Sequence, residues 1–493
     1  MSLGSPKGPG FIGKINAPAW SRKPRSHYPM AYDHLRSDTI AAIATPIGQA
    51  GIGIIRLSGP EATGIAGKIF RPHRAGAGLE NRRLYLGHII DPDSGALIDE
   101  VLLTRMRAPH SYTCEDVVEI QSHSGYLLLS RILRLVMDAG ARLAKPGEFT
   151  FRAYMNGRID LTQAEALVDL INAKSDRALQ LASQQIRGDF KEDVERLRRR
   201  AVAILARLEV AIDFPEEEDG EFHGEEIASR ISGELIQPIN TIMAAHAQRK
   251  IWVDGVQTVI AGCVNVGKSS LLNRLLNEER AIVTPIPGTT RDIIESTIHI
   301  EGIPLRLMDT AGFREVNGDV ERIGMRLAEK KLAEADLSLI VLDQSHPLTR
   351  EDTDIMAKTR GRKRLILLNK IDLPSGLDRR ALEREVNGAP VVRISALTGE
   401  GIPELCKAIE QLVTAGEGDL DASHAVPNLR HQKALEDSLG FFRQAMANTK
   451  EGLPAEIIAA DLQCGLDTLG EITGEAADGE VLERIFSEFC IGK

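Results

Sequence analysis

The spacing of apolar positions changes several times along the chain, and each change marks a different kind of structure. From Asp38, short β-rich runs alternate with turns: residues 39–44, 53–57, 101–103 and 116–120 read as strands, and 126–139 as a helix. From Asp160 the spacing becomes helical, through Leu167, Leu170, Ile171, Leu179 and Leu181, and again through Leu197, Val202, Leu205, Leu208 and Ile212. Thr162, Gln163, Ala164 and Glu165 read as a capping box opening this helical stretch. The acidic run at 213–221 interrupts it, as a solvated loop or as an acidic turn for a basic partner, and a third helix is expected over about 225–250. Strand and helix then alternate, with candidate strands at 257–261, 296–300, 305–309, 337–342, 364–368 and 391–394, which is the pattern of a doubly wound α/β domain. Helical spacing resumes at 429–449, 454–469 and 479–489. The simplest architecture is an α/β domain inserted between two parts of a helical bundle.

Composition narrows this picture modestly. The chain has 493 residues, enough for about three domains, with 43% hydrophobic and 26% charged residues. No apolar run approaches the roughly 18 residues of a membrane span. A net charge of −10 means that a nucleic-acid partner must be met by local basic patches. Cys114, Cys263, Cys406, Cys464 and Cys490 are scattered and lack C-x-x-C spacing, which argues against a disulfide framework or a zinc site and for a reducing compartment. Residues 1–32 carry five Lys/Arg and no acid; an over-long start ahead of Met30, a disordered basic arm and an organellar targeting segment all fit.

The candidate chemistry sits in the α/β region. Gly262, Gly267, Lys268 and Ser269 satisfy G-x-x-x-x-G-K-[ST] between an apolar strand and the helical stretch beginning near Ser270. Such a loop aims backbone N–H groups and a helix N-terminus at phosphate oxygens, its lysine meets the outer phosphates, and its serine can hold Mg²⁺. Asp309, Thr310, Ala311 and Gly312 end another strand: the carboxylate can reach Mg²⁺, and the Gly312 N–H can sense a γ-phosphate. Asn369, Lys370, Ile371 and Asp372 follow the next parallel run, and an aspartate there can accept two hydrogen bonds from guanine that adenine cannot donate. Ser395, Ala396 and Leu397 can hold the base carbonyl by a backbone N–H. Together these elements specify a guanine nucleotide. Residues 281–292, including Thr284, Pro285, Ile286, Pro287, Gly288, Thr289 and Thr290, read as a switch whose threonine would complete the Mg²⁺ shell while the γ-phosphate is present.

The order of these motifs, the Gly288-Thr289-Thr290-Arg291-Asp292 segment, the inserted domain and the terminal Phe489-Cys490-Ile491-Gly492-Lys493 resemble the tRNA modification GTPase family MnmE, also called TrmE. Ser111-Tyr112-Thr113, residues 146–150 and residues 160–166 match as well, so the resemblance covers essentially everything from Asp38 onward. It implies a multidomain α/β plus α fold: an N-terminal α+β domain and a helical bundle split by an inserted P-loop GTPase domain of Ras-like type. The expected boundaries are a tail at 1–37, a folate-binding and dimerisation domain at 38–157, helical parts at 158–253 and 418–493, and the GTPase domain at 254–417.

The resemblance further implies GTP hydrolysis assisted by K⁺ in place of an arginine finger, with K⁺ on Asn265, Thr284, Ile286 and Thr289, and Mg²⁺ on Ser269 and Thr290. Lys268 and a water-orienting Glu321 are the implied catalytic residues; Val266, Gly267 and Ser270 belong with the nucleotide contacts. Arg56, Glu119, Arg158 and Lys493 match positions that bind a tetrahydrofolate one-carbon donor, in its 5,10-methylene or 5-formyl form, and Cys490 matches the cysteine near the tRNA chemistry. The implied partners are a second copy of the chain, an MnmG-like FAD protein in a heterotetramer or larger complex, and tRNA. The implied product is an aminomethyl or carboxymethylaminomethyl group at C5 of the wobble uridine. No membrane is expected; the location would be cytoplasmic, or mitochondrial if residues 1–32 are a transit segment. Val264 departs from the family's proline, Ser122-His123-Ser124-Gly125 from its H-G-G, and Arg158 from the lysine of some relatives. Basic clusters at Arg196, Arg198, Arg199 and Arg200 and at Arg360, Arg362, Lys363 and Arg364 read as solvated faces or as contacts for tRNA phosphates. A ribosome-assembly GTPase is the rival reading; it calls for an RNA-binding flank such as a KH domain, and none is legible after residue 417.

Overall fold

The computed structural model describes residues 38–46, 48, 50–74, 78–173, 175–213, 224–244, 250–277, 296–308, 332–414, 427–475 and 479–492. The chain divides into two units, residues 1–168 with 476–493, and residues 169–475.

In the first unit a seven-stranded sheet runs in the order β3-β4-β5-β6-β2-β1-β7, from β1 (Ile40–Ile43), β2 (Ile52–Ser58), β3 (Phe70–Pro72), β4 (Leu84–Ile90), β5 (Leu97–Met106), β6 (Val117–His123) and β7 (Arg142–Leu143). All neighbours are antiparallel except β1 and β7. Alternation puts Ile55, Leu57, Ile89, Leu103 and Ile120 on one face, where the helices Ala62–Ile69 and Tyr126–Asp138 cover them with Ile65, Ile69, Leu129 and Ile132. A second core joins helix Glu148–Met155 and the start of helix Leu161–Asn172 to helix Gly479–Ser487: Phe151, Tyr154 and Leu161 pack with Leu482, Ile485, Phe486 and Phe489. The end of the chain therefore folds with its beginning.

The expected capping box lies two residues earlier than the sequence reading put it. Asp160 Oδ1 accepts from Gln163 N at 3.0 Å, and Gln163 Oε1 accepts from Asp160 N at 3.0 Å, while the buried Thr162 hydroxyl donates to Asp160. Aspartate precedes the first helical residue, so it takes the capping role and Thr162 falls inside the helix.

The second unit holds the bundle and the α/β sheet. Helices Asp189–Asp213, Leu429–Lys450 and Ala455–Thr473 share one apolar core with the segment from Gly224 to Ala244, through Phe190, Leu197, Ile231, Leu235, Phe442 and Leu462 among others. That segment is not the uniform helix expected: it widens to a π-helix at Ile231–Ile236. Pro238 has no N–H for the carbonyl of Glu234, which instead accepts from Arg200 Nη1 at 3.3 Å. The sheet runs β13-β12-β11-β8-β10-β9, from β8 (Val256–Ala261), β9 (Ser296–Ile300), β10 (Ile303–Leu307), β11 (Leu337–Asp343), β12 (Arg364–Asn369) and β13 (Val391–Arg393); only β9 is antiparallel. Its central strands are buried on both faces and so read as continuous apolar runs, Leu339, Val341, Leu365 and Leu367 on one side, Ile340, Leu342, Ile366 and Leu368 on the other.

Candidate functional site

The carboxyl ends of β8, β11, β12 and β13 converge, which is where an open parallel sheet offers a ligand crevice. At the end of β8 the backbone turns through Gly262 at φ +152°, Asn265 at +64° and Gly267 at +100° before helix Lys268–Asn277 begins. A side chain at position 262 would run into the Val341 carbonyl, and one at 267 into the Asn369 amide, so both glycines are required by space as well as by conformation. Lys268 folds back over this loop, Nζ donating to the carbonyls of Gly262 at 2.8 Å and Cys263 at 2.6 Å. Burial lowers its pKa from the ordinary lysine value. Asn265, Ser269 and Ser270 are exposed around the loop, and Val266 is buried beneath it.

Asn369 joins three of the motifs. Its Nδ2 donates to Val266 O at 2.7 Å, and its Oδ1 accepts from Ala396 N at 2.9 Å, so one buried amide ties the phosphate loop to the Ser395-Ala396-Leu397 loop. Asp372 is held from the same loop, where Ser395 Oγ donates to Asp372 Oδ1 at 2.6 Å. Lys370, at φ +67°, donates to Asp343 Oδ2 at 2.6 Å. Burial pushes the Asp343 carboxyl up, but hydrogen bonds from Lys370 and Ser345 outweigh it and hold the pKa at about 2. Ile371 continues the turn, its N–H donating to Ile394 O at 3.3 Å.

Three residues of this site escaped the sequence reading. Arg274, on the helix after the phosphate loop, donates to the carbonyls of Ala396 and Leu397 and fixes the far loop from below. Asp343 ends β11 and holds Lys370. Cys263 donates its thiol hydrogen to Asp352 Oδ1 at 3.0 Å, and burial, helped by that carboxylate, pushes its pKa up to about 12. Each contact spans more than twenty residues of sequence, and no local spacing signals it. Thr284, Pro285, Ile286, Pro287, Gly288, Thr289, Thr290, Asp309, Thr310, Ala311, Gly312, Glu321 and Lys493 lie outside the described residues.

In the first unit, Arg56 on β2 faces Glu119 on β6 in direct register, with Nε to Oε1 at 2.9 Å. Tyr112 lies beside them: the Arg158 guanidinium sits 4.8 Å from its ring centre and the Arg56 guanidinium 5.8 Å, while Arg158 Nη1 donates to Tyr112 O at 2.8 Å. Tyr112 was legible only as part of a matching stretch. Gly492, at φ +100°, packs its backbone against Ile43 and Ala44, next to Ala42, which pairs with Arg56 in register. Cys490 is exposed two residues before it. Two cations, a carboxylate and a ring form a set suited to a flat, anionic heteroaromatic ligand.

The basic clusters pair with acids and carbonyls of the protein itself, Arg196 and Arg199 while more than half exposed. Arg196 pairs with Asp193, Arg198 with Glu195 and Glu475, and Arg199 with Glu192; Arg360 pairs with Glu385. Arg362 and Lys363 donate to the carbonyls of Ala333 and Val413, and the buried Arg364 to those of Met356 and Val386. Among the described residues no helix is long and apolar enough to cross a membrane.

A glycine-turned loop at the end of the central strand, closed by a lysine and cross-braced to an Asn-Lys-x-Asp turn and a Ser-Ala-Leu loop, defines a P-loop GTPase. The surrounding chain narrows the class. Residues 39–158 match the family model described as the GTP-binding protein TrmE N-terminus, and residues 161–490 match the MnmE helical domain. A protein named tRNA modification GTPase MnmE in Natranaerobius thermophilus is 43% identical over 459 residues, covering 93% of this chain and 100% of that one. One of the same name in Geobacillus kaustophilus is 45% identical over 463 residues, covering 92% and 99%. The chain belongs to the tRNA modification GTPase MnmE family.

Proposed function

We propose that this chain hydrolyses GTP in the service of tRNA modification, installing with an MnmG-like flavoprotein an aminomethyl-type group at C5 of the wobble uridine. The observation that carries the reading is Asn369, whose one side chain braces the phosphate loop against the loop that would grip guanine. A nucleotide in this crevice would lie with its phosphates on the N–H groups from Asn265 to Ser270 and its base between Asp372 and the Ser395-Ala396-Leu397 loop. Lys268 would leave the two loop carbonyls to meet the β- and γ-phosphates. The exposed Ser269 hydroxyl at the first helical turn suits Mg²⁺, with Thr290 as the second protein ligand. The exposed Asn265, on left-handed backbone, offers a hard amide oxygen of the kind K⁺ takes, and Thr284, Ile286 and Thr289 would complete that site. When bound, the two cations supply positive charge where phosphoryl transfer accumulates negative charge. Phe313 follows Gly312 and has no group to orient the attacking water; Glu321, the residue that the family resemblance implies, would do so.

The Arg56, Glu119, Arg158 and Tyr112 cluster suits a tetrahydrofolate one-carbon donor, with Lys493 as the further folate residue that the family resemblance implies and Cys490 serving the tRNA chemistry. A homodimer built through the folate-binding domain would bring two GTPase domains into one assembly, whose closing and opening GTP turnover would drive. The functional division we propose is the one expected from the sequence, 38–157, 158–253, 254–417 and 418–493, with helix Gly479–Ser487 of the last part packed into the core of the first unit.

The test is GTP turnover in matched K⁺ and Na⁺ salts. Na⁺ should cut turnover strongly in the wild type and make little further difference in Asn265→Ala; equal rates in the two salts would remove Asn265 from its role.

A further inference from the structure

We propose that the outer face of the first unit's sheet carries a binding site for a divalent transition-metal ion, Zn²⁺ by its chemistry, formed by His73, His88 and Glu100. The site follows from register. His88 on β4 stands directly opposite Glu100 on β5, and residue 73 extends β3 so that His73 lies diagonally across from His88. His73 is fixed in that place by its N–H, which donates to Leu86 O at 3.1 Å. The neighbours Gly87, Ile89 and Val101 are buried, so the pleat turns His88 and Glu100 to the opposite, open face.

The three donor atoms converge. His73 Nε2 and His88 Nε2 are 3.4 Å apart, Glu100 Oε1 is 3.3 Å from His73 Nε2, and it is 3.8 Å from His88 Nε2. Ligands held about 2.0–2.1 Å from a tetrahedral Zn²⁺ are separated from one another by roughly 3.4 Å, so this triangle is already close to one face of that coordination figure. Two imidazoles and a carboxylate on three adjacent strands form a borderline N/O donor set, which favours Zn²⁺ or its neighbours over Ca²⁺ or Mg²⁺. The side chains are half exposed, which leaves the fourth position to water or to an incoming group. The scattered cysteines had argued against zinc, but the site uses none of them.

The test uses the full chain, stripped with a chelator and titrated with Zn²⁺ against a chromophoric indicator. The wild type should take up one ion more per chain than the His73→Gln/His88→Gln double variant, and Glu100→Gln should weaken that uptake by at least about tenfold. Equal stoichiometry and affinity in wild type and double variant would overturn the proposal. Circular dichroism and GTP turnover of the double variant, which should both match the wild type, verify that it folds. If it does not fold, Co²⁺ loaded on the wild type decides: d–d bands without thiolate charge transfer support the site, whereas thiolate bands or a hexaaqua spectrum sink it.

Discussion

At the scale of single residues, the nucleotide site depends on side chains that satisfy several partners at once. Asn369 is the extreme case: its amide donates to one loop and accepts from another, a pairing that no other residue type of its size provides. Asp372 is oriented by the Ser395 hydroxyl, leaving carboxylate acceptor capacity toward solvent. In Asp372→Asn a donor replaces an acceptor opposite the guanine amine, so GTP affinity should fall by about 1.5–3 kcal/mol, roughly ten- to a hundredfold. A xanthine nucleotide, with an oxygen where guanine has that amine, should bind the variant better than the wild type. Titration of fluorescent guanine and xanthine nucleotides measures both, and an unchanged preference would take Asp372 out of base recognition. These residues were legible because their motifs are short and local. Arg274 was not: its two acceptors lie more than 120 positions away, and only the parallel sheet brings them together.

At the scale of elements, legibility followed length and pleat. The central α/β strands β11 and β12 were readable because burial on both faces makes them nearly unbroken apolar runs. In the first unit β3 and β7 have three and two residues, too few to display any period. β4 was hidden for another reason: Leu84 and Leu86 sit on its exposed face beside His88, so its alternation of apolar and polar positions is broken. The start of helix Leu161–Asn172 shows how a correct motif type can be set in the wrong register. Two overlapping boxes were available, and Asp160 won because its carboxylate reaches the Gln163 N–H while its own N–H is met by the Gln163 side chain. Asp160→Ala should therefore cost about 1–2 kcal/mol in denaturant unfolding, whereas Asp160→Asn, which keeps the acceptor, should stay close to wild type. If the two variants unfold alike, the cap is not what Asp160 contributes.

At the scale of the molecule, the decisive fact is that the chain returns to its first unit for its last residues. Helix Gly479–Ser487 places Leu482, Ile485 and Phe486 against Phe151, Tyr154 and Leu161, with Phe489 completing the cluster. Apolar side chains of this size contribute roughly 1.5–3 kcal/mol each when fully buried. The sequence showed an amphipathic helix here but not its destination, because an apolar stripe does not name the surface that will cover it. Two truncations separate the structural part of this segment from the chemical part. Removing residues 479–493 should strip one wall from that core and destabilise the first unit by several kcal/mol, seen as faster hydrogen exchange across Glu148–Met155. Removing only residues 490–493 leaves the apolar helix in place and takes away the exposed Cys490 and the contact of Gly492 with β1. That shorter deletion should keep exchange protection and GTP turnover near wild type while abolishing modification of tRNA, measured by mass spectrometry of wobble nucleosides. Retained modification would show that the terminal residues do not take part in the chemistry. Lost exchange protection would instead mean that they hold the core.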